Sequence, residues 1–405
     1  MVRMPSLNRI EDLDRQRAEI LVNTLDGVLT IASHPFASPL DNEQLLKFAL
    51  RLGLPEEDIE AARLAIAATG FTCRHHFYQL GTETDLPDAL ERTAKIGAIL
   101  LRAAMAKHGW DDIDVFYDTS AFLPPEINRM VLMRAGLDPD RILTRSYRYA
   151  CAGAVGALVD ILSADNLRDA RVAIGALEPL SLLIDQSQFV TPGNLAIPSI
   201  FTDDNAVILI EPKRILLHHK KIRVQPDGGV IKLRTLYDHT LSSQEQLPIP
   251  THYDFRNGGE TIFSYGALGA FLDIQPPDHS SLSMDGIGTG LFFGDQTSEL
   301  ILEILSELGD PDYLRRLNGR NLIMHPASEP VVNRIAKKLN RAGVLDSRSL
   351  PFIMGEIGRS NSSSATTLIS WQNQIRMGLV QPNAPFFLVA PGVGSAIVAA
   401  AGEFC

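Results

Sequence analysis

Residues 114–136 read DVFYDTSAFLPPEINRMVLMRAG, and residues 321–343 read NLIMHPASEPVVNRIAKKLNRAG. Each passes from a short apolar run through a proline-containing loop into a helical pattern with an Asn-Arg pair and an Arg-Ala-Gly ending. The step from Asp118, which closes the first run, to His325, which closes the second, equals the step from Gly136 to Gly343. A segment of small residues follows in both copies: YACAGAVGALVDI around Cys151 and RSNSSSATTLISW around Asn361. An apolar run comes next in each, RVAIGALE (171–178) and FFLVAPGVG (386–394). Any two strand–loop–helix units look somewhat alike, but shared order and spacing over three consecutive elements point to duplication. The period is near half the chain, which excludes a solenoid. Two halves are therefore expected, residues 1–212 carrying Cys151 and residues 213–405 carrying His325 and Asn361. Equivalent strand ends would meet at a pseudo-twofold axis. Both small-residue segments would be helix starts facing one cavity.

The flanking periodicity fits this plan. DVFYDTS (114–120), RVAIGALE, AVILIE (206–211), NLIMH (321–325) and FFLVA (386–390) read as buried strands. Leu90, Ala94, Ala98, Leu101 and Met105 fall on one helical face of residues 88–109, and SELILEILSEL (298–308) repeats the pattern. RVQPDGGVIKL predicts a hairpin. Alternating strands and helices predict an α/β fold. The most apolar stretch, FFLVAPGVGSAIVAAAGEF, is split by Pro391, Gly392 and Gly394, so two buried strands are expected rather than a membrane span.

Composition narrows the function. The 405 residues include 37 basic and 48 acidic side chains, a net charge of −11, with no long Lys/Arg run. General nucleic-acid binding is a poor fit. Cys73, Cys151 and Cys405 are far apart and form no CxxC pair, which argues against a disulfide framework or a zinc site and fits a reducing cytoplasm. His75-His76 and His218-His219 lack metal-ligand spacing and read as surface or strand residues. Cys73 stands beside Arg74 without a paired base. The charged N-terminus lacks the apolar core of a signal peptide.

Cys151 alone reads as a core cysteine. At the first turn of a helix it would instead meet unpaired N–H groups and a partial positive charge, which favour a thiolate. Gly153 and Gly156 would let another backbone approach. His325 can be a satisfied strand-end histidine, Asn361 a helix cap, and Gly392 and Gly394 simply a turn.

Taken together, these segments resemble the thiolase superfamily, and within it the ketoacyl synthase III (3-oxoacyl-acyl-carrier-protein synthase III) type. ACAGAVGAL resembles its nucleophile segment, HPASEPVVNRIAKKL its HQAN segment and helix, and SNSSSATTL its GNTSAAS segment. IFTDDNAVILIE resembles its FGDGAGAVVL strand, DIDVFYDTSAFLP its D-x-(hydrophobic)-T-S strand, and GVGSAIVAAAG its final Gly-rich turn. The resemblance runs from about residue 25 to the end. It implies a thiolase-like fold, two duplicated halves forming a layered α-β-α-β-α sandwich. It also implies an acyl-carrying Cys151, with His325 and Asn361 as its catalytic partners and an oxyanion turn at Gly392 and Gly394. The substrates implied are acyl-carrier-protein or coenzyme A thioesters, with no cofactor, no metal and no membrane span, in a cytoplasmic homodimer. Arg334, Lys337 and Lys338 occupy the helix where relatives dock the carrier, and the basic stretch 213–223 is a second candidate surface.

The sequence departs from that pattern. HQAN is HPAS, with Pro326 and Ser328. FGDGAGA is FTDDNAV, residues 63–74 lack the Trp and Arg that many members use to hold coenzyme A, and L-T-W-G is SAIV. A specialised lipid or polyketide pathway is expected, and free coenzyme A as donor is in question. The leading activity is decarboxylative condensation of an acyl-Cys intermediate with a malonyl-type thioester. Two alternatives stand: transfer of the acyl group to a hydroxyl or amine, and a non-catalytic partner subunit. A non-decarboxylating thiolase or hydroxymethylglutaryl synthase would need a further cysteine or a glutamate in the site, and neither is evident. Pocket walls are expected from 235–285.

Overall fold

A computed structural model describes residues 20–76, 86–120, 123, 126–147, 149–184, 189–224, 271–275, 279–283, 286–317, 321–345, 360–392 and 396–405. The expected PDGG hairpin turn, Gly394 and most of the expected pocket walls lie outside them.

The apolar runs form two sheets. In chain order the first holds β1 (Leu21–Leu25) and β2 (Leu29–Ser33); a short pair, β3 (Pro39–Asp41) with β4 (Cys73–His75), stands apart. The sheet continues with β5 (Val115–Asp118), β6 (Leu143–Ser146), β7 (Val172–Glu178) and β8 (Asp204–Ile210), in the spatial order β1-β2-β8-β7-β5-β6. The second sheet holds β9 (Ile215–Val224), β12 (Leu322–Met324), β13 (Pro385–Gly392) and β14 (Ala396–Phe404), in the order β12-β13-β14-β9. Between β9 and β12 in the chain, β10 (Phe271–Gln275) and β11 (His279–Ser283) form an antiparallel pair.

The two sheets share one plan. In β2-β8-β7-β5 the successive pairings are antiparallel, antiparallel and parallel, and β9-β14-β13-β12 repeats them. Register refines the equivalence read from sequence. The last parallel pairs are Asp118 with Gly175 and Met324 with Val389, and Thr119 N–H donates to Gly175 O as His325 N–H donates to Val389 O, both at 2.9 Å. His325 therefore matches Thr119 rather than Asp118, because the second copy holds one more residue between the strand end and the glycine that closes the helix. By the same register the tip of β7, Glu178, matches the tip of β13, Gly392. Gly136 and Gly343 both adopt positive φ, as C-terminal helix glycines do.

The helices complete five layers. In chain order they are α1 (Asn42–Leu52), α2 (Ile59–Ala67), α3 (Leu86–His108), α4 (Glu126–Arg134), α5 (Gly153–Ser163), α6 (Ala196–Ile200), α7 (Gly286–Leu308), α8 (Tyr313–Leu317), α9 (Glu329–Arg341) and α10 (Ser364–Arg376). Helices α3 and α4 cover the outer face of the first sheet, α5 and α10 fill the space between the sheets, and α7 and α9 cover the outer face of the second. This is an α-β-α-β-α sandwich. Each space between layers holds an apolar cluster, which is where burial of hydrocarbon drives folding.

The central helices differ chemically. Helix α5 is nearly all small and apolar. Helix α10 is buried from Ser364 to Gln374 yet rich in polar residues, and these bond both sheets. Gln372 Nε2 donates to Leu21 O and Ile31 O at 2.8 and 2.9 Å, and Gln374 Nε2 donates to Leu322 O at 3.1 Å. Buried amides paired in this way avoid the cost of unsatisfied polar groups.

Helix α7 begins twelve residues before the apolar periodicity at Ser298, at Gly286. Its glycine-rich first part is a poor helix former. Packing overrides this: a Cβ at Gly294 would stand 2.5 Å from Arg334 Cδ on α9. The basic strand β9 is neutralised within the chain. Lys221 pairs with Glu303 and Glu307 at 2.9 and 2.6 Å, His219 with Glu307 at 2.6 Å, and Arg223 with Glu303 and, at 3.6 Å, Glu299. Those three glutamates fall at four-residue steps on α7. No helix among the described residues is long and apolar enough to cross a membrane, and β13 and β14 pair as an antiparallel hairpin from Gly392 and Ala396 outward.

Helix α5 packs against Tyr147 because Gly156 lacks a side chain; a Cβ there would lie 2.3 Å from Tyr147 Cε1. Gly156→Ala should lower stability by about 1–3 kcal/mol, read as a fall in the urea midpoint. Gly193→Ala is the control: a Cβ at Gly193 meets nothing within 4 Å, so the midpoint should hold.

Candidate active site

The strand-to-helix junctions of the two halves face each other between the sheets. In the first, β6 leads into a tight turn, Ala150–Ala152, that runs directly into α5. Ala150 sits at φ 44, a left-handed conformation that costs a residue with a Cβ roughly 1–2 kcal/mol. Cys151 is therefore presented on a strained turn at a helix start, where neither Tyr149 nor Ala152 makes a side-chain cap bond. The turn is clamped from both sides. A Cβ at Gly153 would lie 2.9 Å from Thr119 O, and a Cβ at Gly392 would lie 2.4 Å from Tyr149 O and 2.9 Å from Ala152 N. The glycines thus permit backbone-to-backbone contact with the tips of β5 and β13. Gly392 lies against the cysteine turn; Gly394 lies outside the described residues.

Asn361 begins the matching junction of the second half. Its backbone makes a parallel bridge to Phe201: Asn361 N–H donates to Ile200 O at 2.8 Å, and Thr202 N–H donates to Asn361 O at 3.0 Å. Its amide has a defined orientation. Ser363 N–H donates to Oδ1 at 2.8 Å and the Thr366 hydroxyl also donates there at 3.3 Å, so the other end is Nδ2. That nitrogen donates to Ala327 O at 3.2 Å and stands 3.3 Å from His325 Nε2. Ser363 carries the turn at φ 50, the counterpart of strained Ala150.

His325 leaves the end of β12, fully buried. Its Nδ1 lies 3.4 Å from the Thr367 hydroxyl on α10. Burial pushes its imidazole down to about 3, so the ring is neutral across the physiological range. Cys151 Sγ lies 4.0 Å from Asn361 Oδ1. The thiol, carboxamide and imidazole thus form one buried chain, drawn from both halves of the sequence. A neutral ring N–H and an amide N–H₂ can hold an oxygen that gains negative charge, next to the Cys151 thiol. Among the described residues no cluster of His, Cys, Asp and Glu could hold a metal ion.

Other residues from the sequence reading fall elsewhere. Arg334 makes a two-point bond to Asp295, at 2.5 and 2.8 Å, and Lys338 reaches the same carboxylate at 2.9 Å. The bonds from Arg334, then Lys338, hold Asp295 down at about 2. Lys337 carries no ion pair among the described residues. Arg74 is buried, donating to Asn42 Oδ1 and Ser199 O at 2.8 and 3.1 Å, and burial lowers it to about 10. His75 is buried in β4, and His218 and His219 lie on β9 opposite Glu403 and Glu307.

Sequence reasoning missed Thr367, Ala327 and Glu178. The first two lie inside quoted motifs, but nothing in a linear pattern tells which of several threonines touches a ring. Glu178 is fully buried, and Ser364, at the start of α10, donates to its Oε1 through both N–H (3.1 Å) and hydroxyl (2.6 Å).

Two outcomes follow from this geometry. Ala150→Gly should keep the turn and raise or preserve the thermal midpoint, since it removes a left-handed penalty. Gly392→Ala should displace the cysteine turn and change the rate at which iodoacetamide alkylates Cys151, at least several-fold, measured by intact mass. Acid should also destabilise the fold. His325 binds its proton near 3 when folded and near 6.5 when unfolded, so between those values only the unfolded state is protonated. Stability is fully present above about pH 6.5 and falls with acidification by up to about 1.4 kcal/mol per pH unit from this ring. Urea unfolding at pH 7 and pH 5 checks it, and His325→Gln should flatten the slope.

No protein-family model matches the chain, and no curated protein matches it. Solved structures do match. One is 1,3,6,8-tetrahydroxynaphthalene synthase of Streptomyces coelicolor A3(2), a bacterial type III polyketide synthase, at 16% identity and TM-score 0.66 over 92% of this chain and 98% of that one. The C-terminal type III polyketide synthase domain of Steely1 from Dictyostelium matches at 14% identity and TM-score 0.67, covering 92% and 98%. The 3-oxoacyl-(acyl carrier protein) synthase III of Pseudomonas aeruginosa matches at 16% identity and TM-score 0.60, covering 92% and 96%. At these identities the likeness establishes the architecture: the chain has the thiolase fold that type III polyketide synthases and 3-oxoacyl-carrier-protein synthase III share.

Proposed function

We propose that the protein is a condensing enzyme that loads an acyl group on Cys151 and extends it by decarboxylative condensation with a malonyl-type thioester. The observation that carries this reading is the buried contact chain from Cys151 Sγ through the Asn361 amide to His325 Nε2. Likeness in fold to condensing enzymes supports it.

In the first step the Cys151 thiolate attacks an acyl thioester. The new carbon–sulfur bond replaces the old one, and the carrier thiol leaves with a proton. The tetrahedral oxyanion draws on N–H groups at the open start of α5. In the second step the malonyl carbon–carboxylate bond breaks and carbon dioxide leaves. The electron pair moves onto the thioester oxygen, which sits between His325 Nε2–H and Asn361 Nδ2–H. The Thr367 hydroxyl donates to Nδ1 in that tautomer. The 3.3 Å contact between the two nitrogens opens to admit the oxygen. The enolate carbon then attacks the acyl carbon, and the Cys151 thiolate is released.

The depressed His325 fits this chemistry, because a neutral ring donates to an enolate without protonating it first. Asn361 favours condensation over transfer to a hydroxyl or amine, since an amide donor serves the enolate specifically. The substrates belong to the acyl thioesters of coenzyme A or an acyl carrier protein, in a specialised lipid or polyketide pathway of the cytoplasm. Lys337, which carries no ion pair among the described residues, is the first contact offered to an acidic carrier, with Arg334 and Lys338 beside it. The open edge of β6 offers the surface for a homodimer.

Intact mass after incubation with a panel of acyl thioesters tests the reading. An adduct is expected on wild type and absent in Cys151→Ala; no adduct with any thioester contradicts it and favours a non-catalytic subunit. Adding malonyl-coenzyme A next should release carbon dioxide and a product longer by two carbons. Asn361→Ala should keep the adduct and slow this step by about 10²–10³-fold, the range for one lost oxyanion donor. Loss of the acyl group to an added alcohol or amine, without carbon dioxide, marks acyl transfer instead.

A further inference from the structure

The tips of β7 and β13 are equivalent by register, and each meets the helix start of the opposite half. At the tip of β13 stands Gly392, whose missing side chain leaves the start of α5 in bare contact with Tyr149 and Ala152. At the tip of β7 stands Glu178, whose carboxyl group accepts from Ser364 N–H at 3.1 Å and from Ser364 Oγ at 2.6 Å. Ser363, at the cap position of α10, makes no side-chain cap bond of its own. The cap of α10 comes from the other half. The start of α5 meets a bare glycine of the opposite half, and the start of α10 meets a carboxyl group.

We propose that Glu178 is a positioning residue for Asn361, acting on condensation and not on acyl loading; this rests on the function proposed above. Glu178 holds Ser364. Ser364 follows Ser363, whose backbone at φ 50 directs its N–H to Asn361 Oδ1 at 2.8 Å. That bond decides which end of the Asn361 amide faces His325. The backbone of Asn361 is anchored separately through Ile200 and Thr202, so Glu178 controls the amide and not the strand. Thr119 completes the cradle: its O lies 2.9 Å and its Oγ1 3.1 Å from Ser364 Oγ. Glu178 stands opposite Asp204 in the β7–β8 register, and both are fully buried, so its carboxyl group is held out of water at the helix start.

Glu178→Ala and Glu178→Gln test this in two independent arms. The first arm needs no substrate: hydrogen–deuterium exchange by mass spectrometry over residues 360–367, with residues 150–157 as the internal control. Glu178→Ala should speed exchange in 360–367 alone. In the second arm, acylation by acetyl-, butyryl- or octanoyl-coenzyme A should proceed within twofold of wild type. Condensation with malonyl-coenzyme A should slow by about tenfold, the worth of one buried hydrogen bond. Glu178→Gln keeps an acceptor oxygen and should recover most of the rate. If Glu178→Ala does not fold, Glu178→Gln and Ser364→Ala carry the test, Ser364→Ala slowing condensation more than acylation. Unchanged exchange in 360–367, unchanged condensation, or an equal fall in both steps overturns the role of Glu178. Absence of any adduct on wild type overturns the proposed function instead, while the exchange arm still decides the cap.

Discussion

The molecule depends on two buried helix starts meeting one carbonyl. Thr119 O, just past the tip of β5, lies 2.9 Å from where a Cβ on Gly153 would stand and 2.9 Å from Ser364 Oγ. Helices α5 and α10 come from opposite halves, and no wider residue at 153 would let both approach. Everything chemical in the site inherits this distance. Cys151 sits in the turn that leads into α5, Asn361 in the turn that leads into α10, and His325 at the register position that Thr119 holds in the other half.

Duplication supplies the convergence, and divergence supplies the chemistry. The equivalent positions carry Thr119 against His325 and Glu178 against Gly392, while Cys151 and Asn361 stand at the two matching junctions. The strained residues follow the same logic. Ala150 and Ser363 both take positive φ in the turns that lead into the two central helices. The strain is carried by the surrounding sandwich, whose middle layer is almost wholly buried.

Much of this was legible in the sequence because the repeat spans strand, helix and small-residue segment in order. β5, β7, β8, β12 and β13 lie where the apolar runs predict them, and α3 spans its amphipathic pattern to within two residues. The register error of one residue at His325 arose because an apolar run does not show which residue ends the strand. The early part of α7 was hidden by its glycines, which tertiary packing against Arg334 tolerates. Polar α10 shows no apolar stripe, since its burial rests on Gln372 and Gln374 reaching strand carbonyls, a pairing no local pattern reports. Cys151, His325 and Asn361 were readable as residue types in motifs. Glu178 was not, because as the last residue of an apolar run it looks like a strand leaving the core for water.

A crystal structure of the protein with a non-hydrolysable malonyl-thioester analogue tests the central claim most directly. The analogue's thioester oxygen should lie within hydrogen-bond reach of both His325 Nε2 and Asn361 Nδ2, with its nucleophilic carbon facing Cys151 Sγ. An analogue bound with that oxygen away from both donors, or bound outside the space between α5 and α10, would contradict the account.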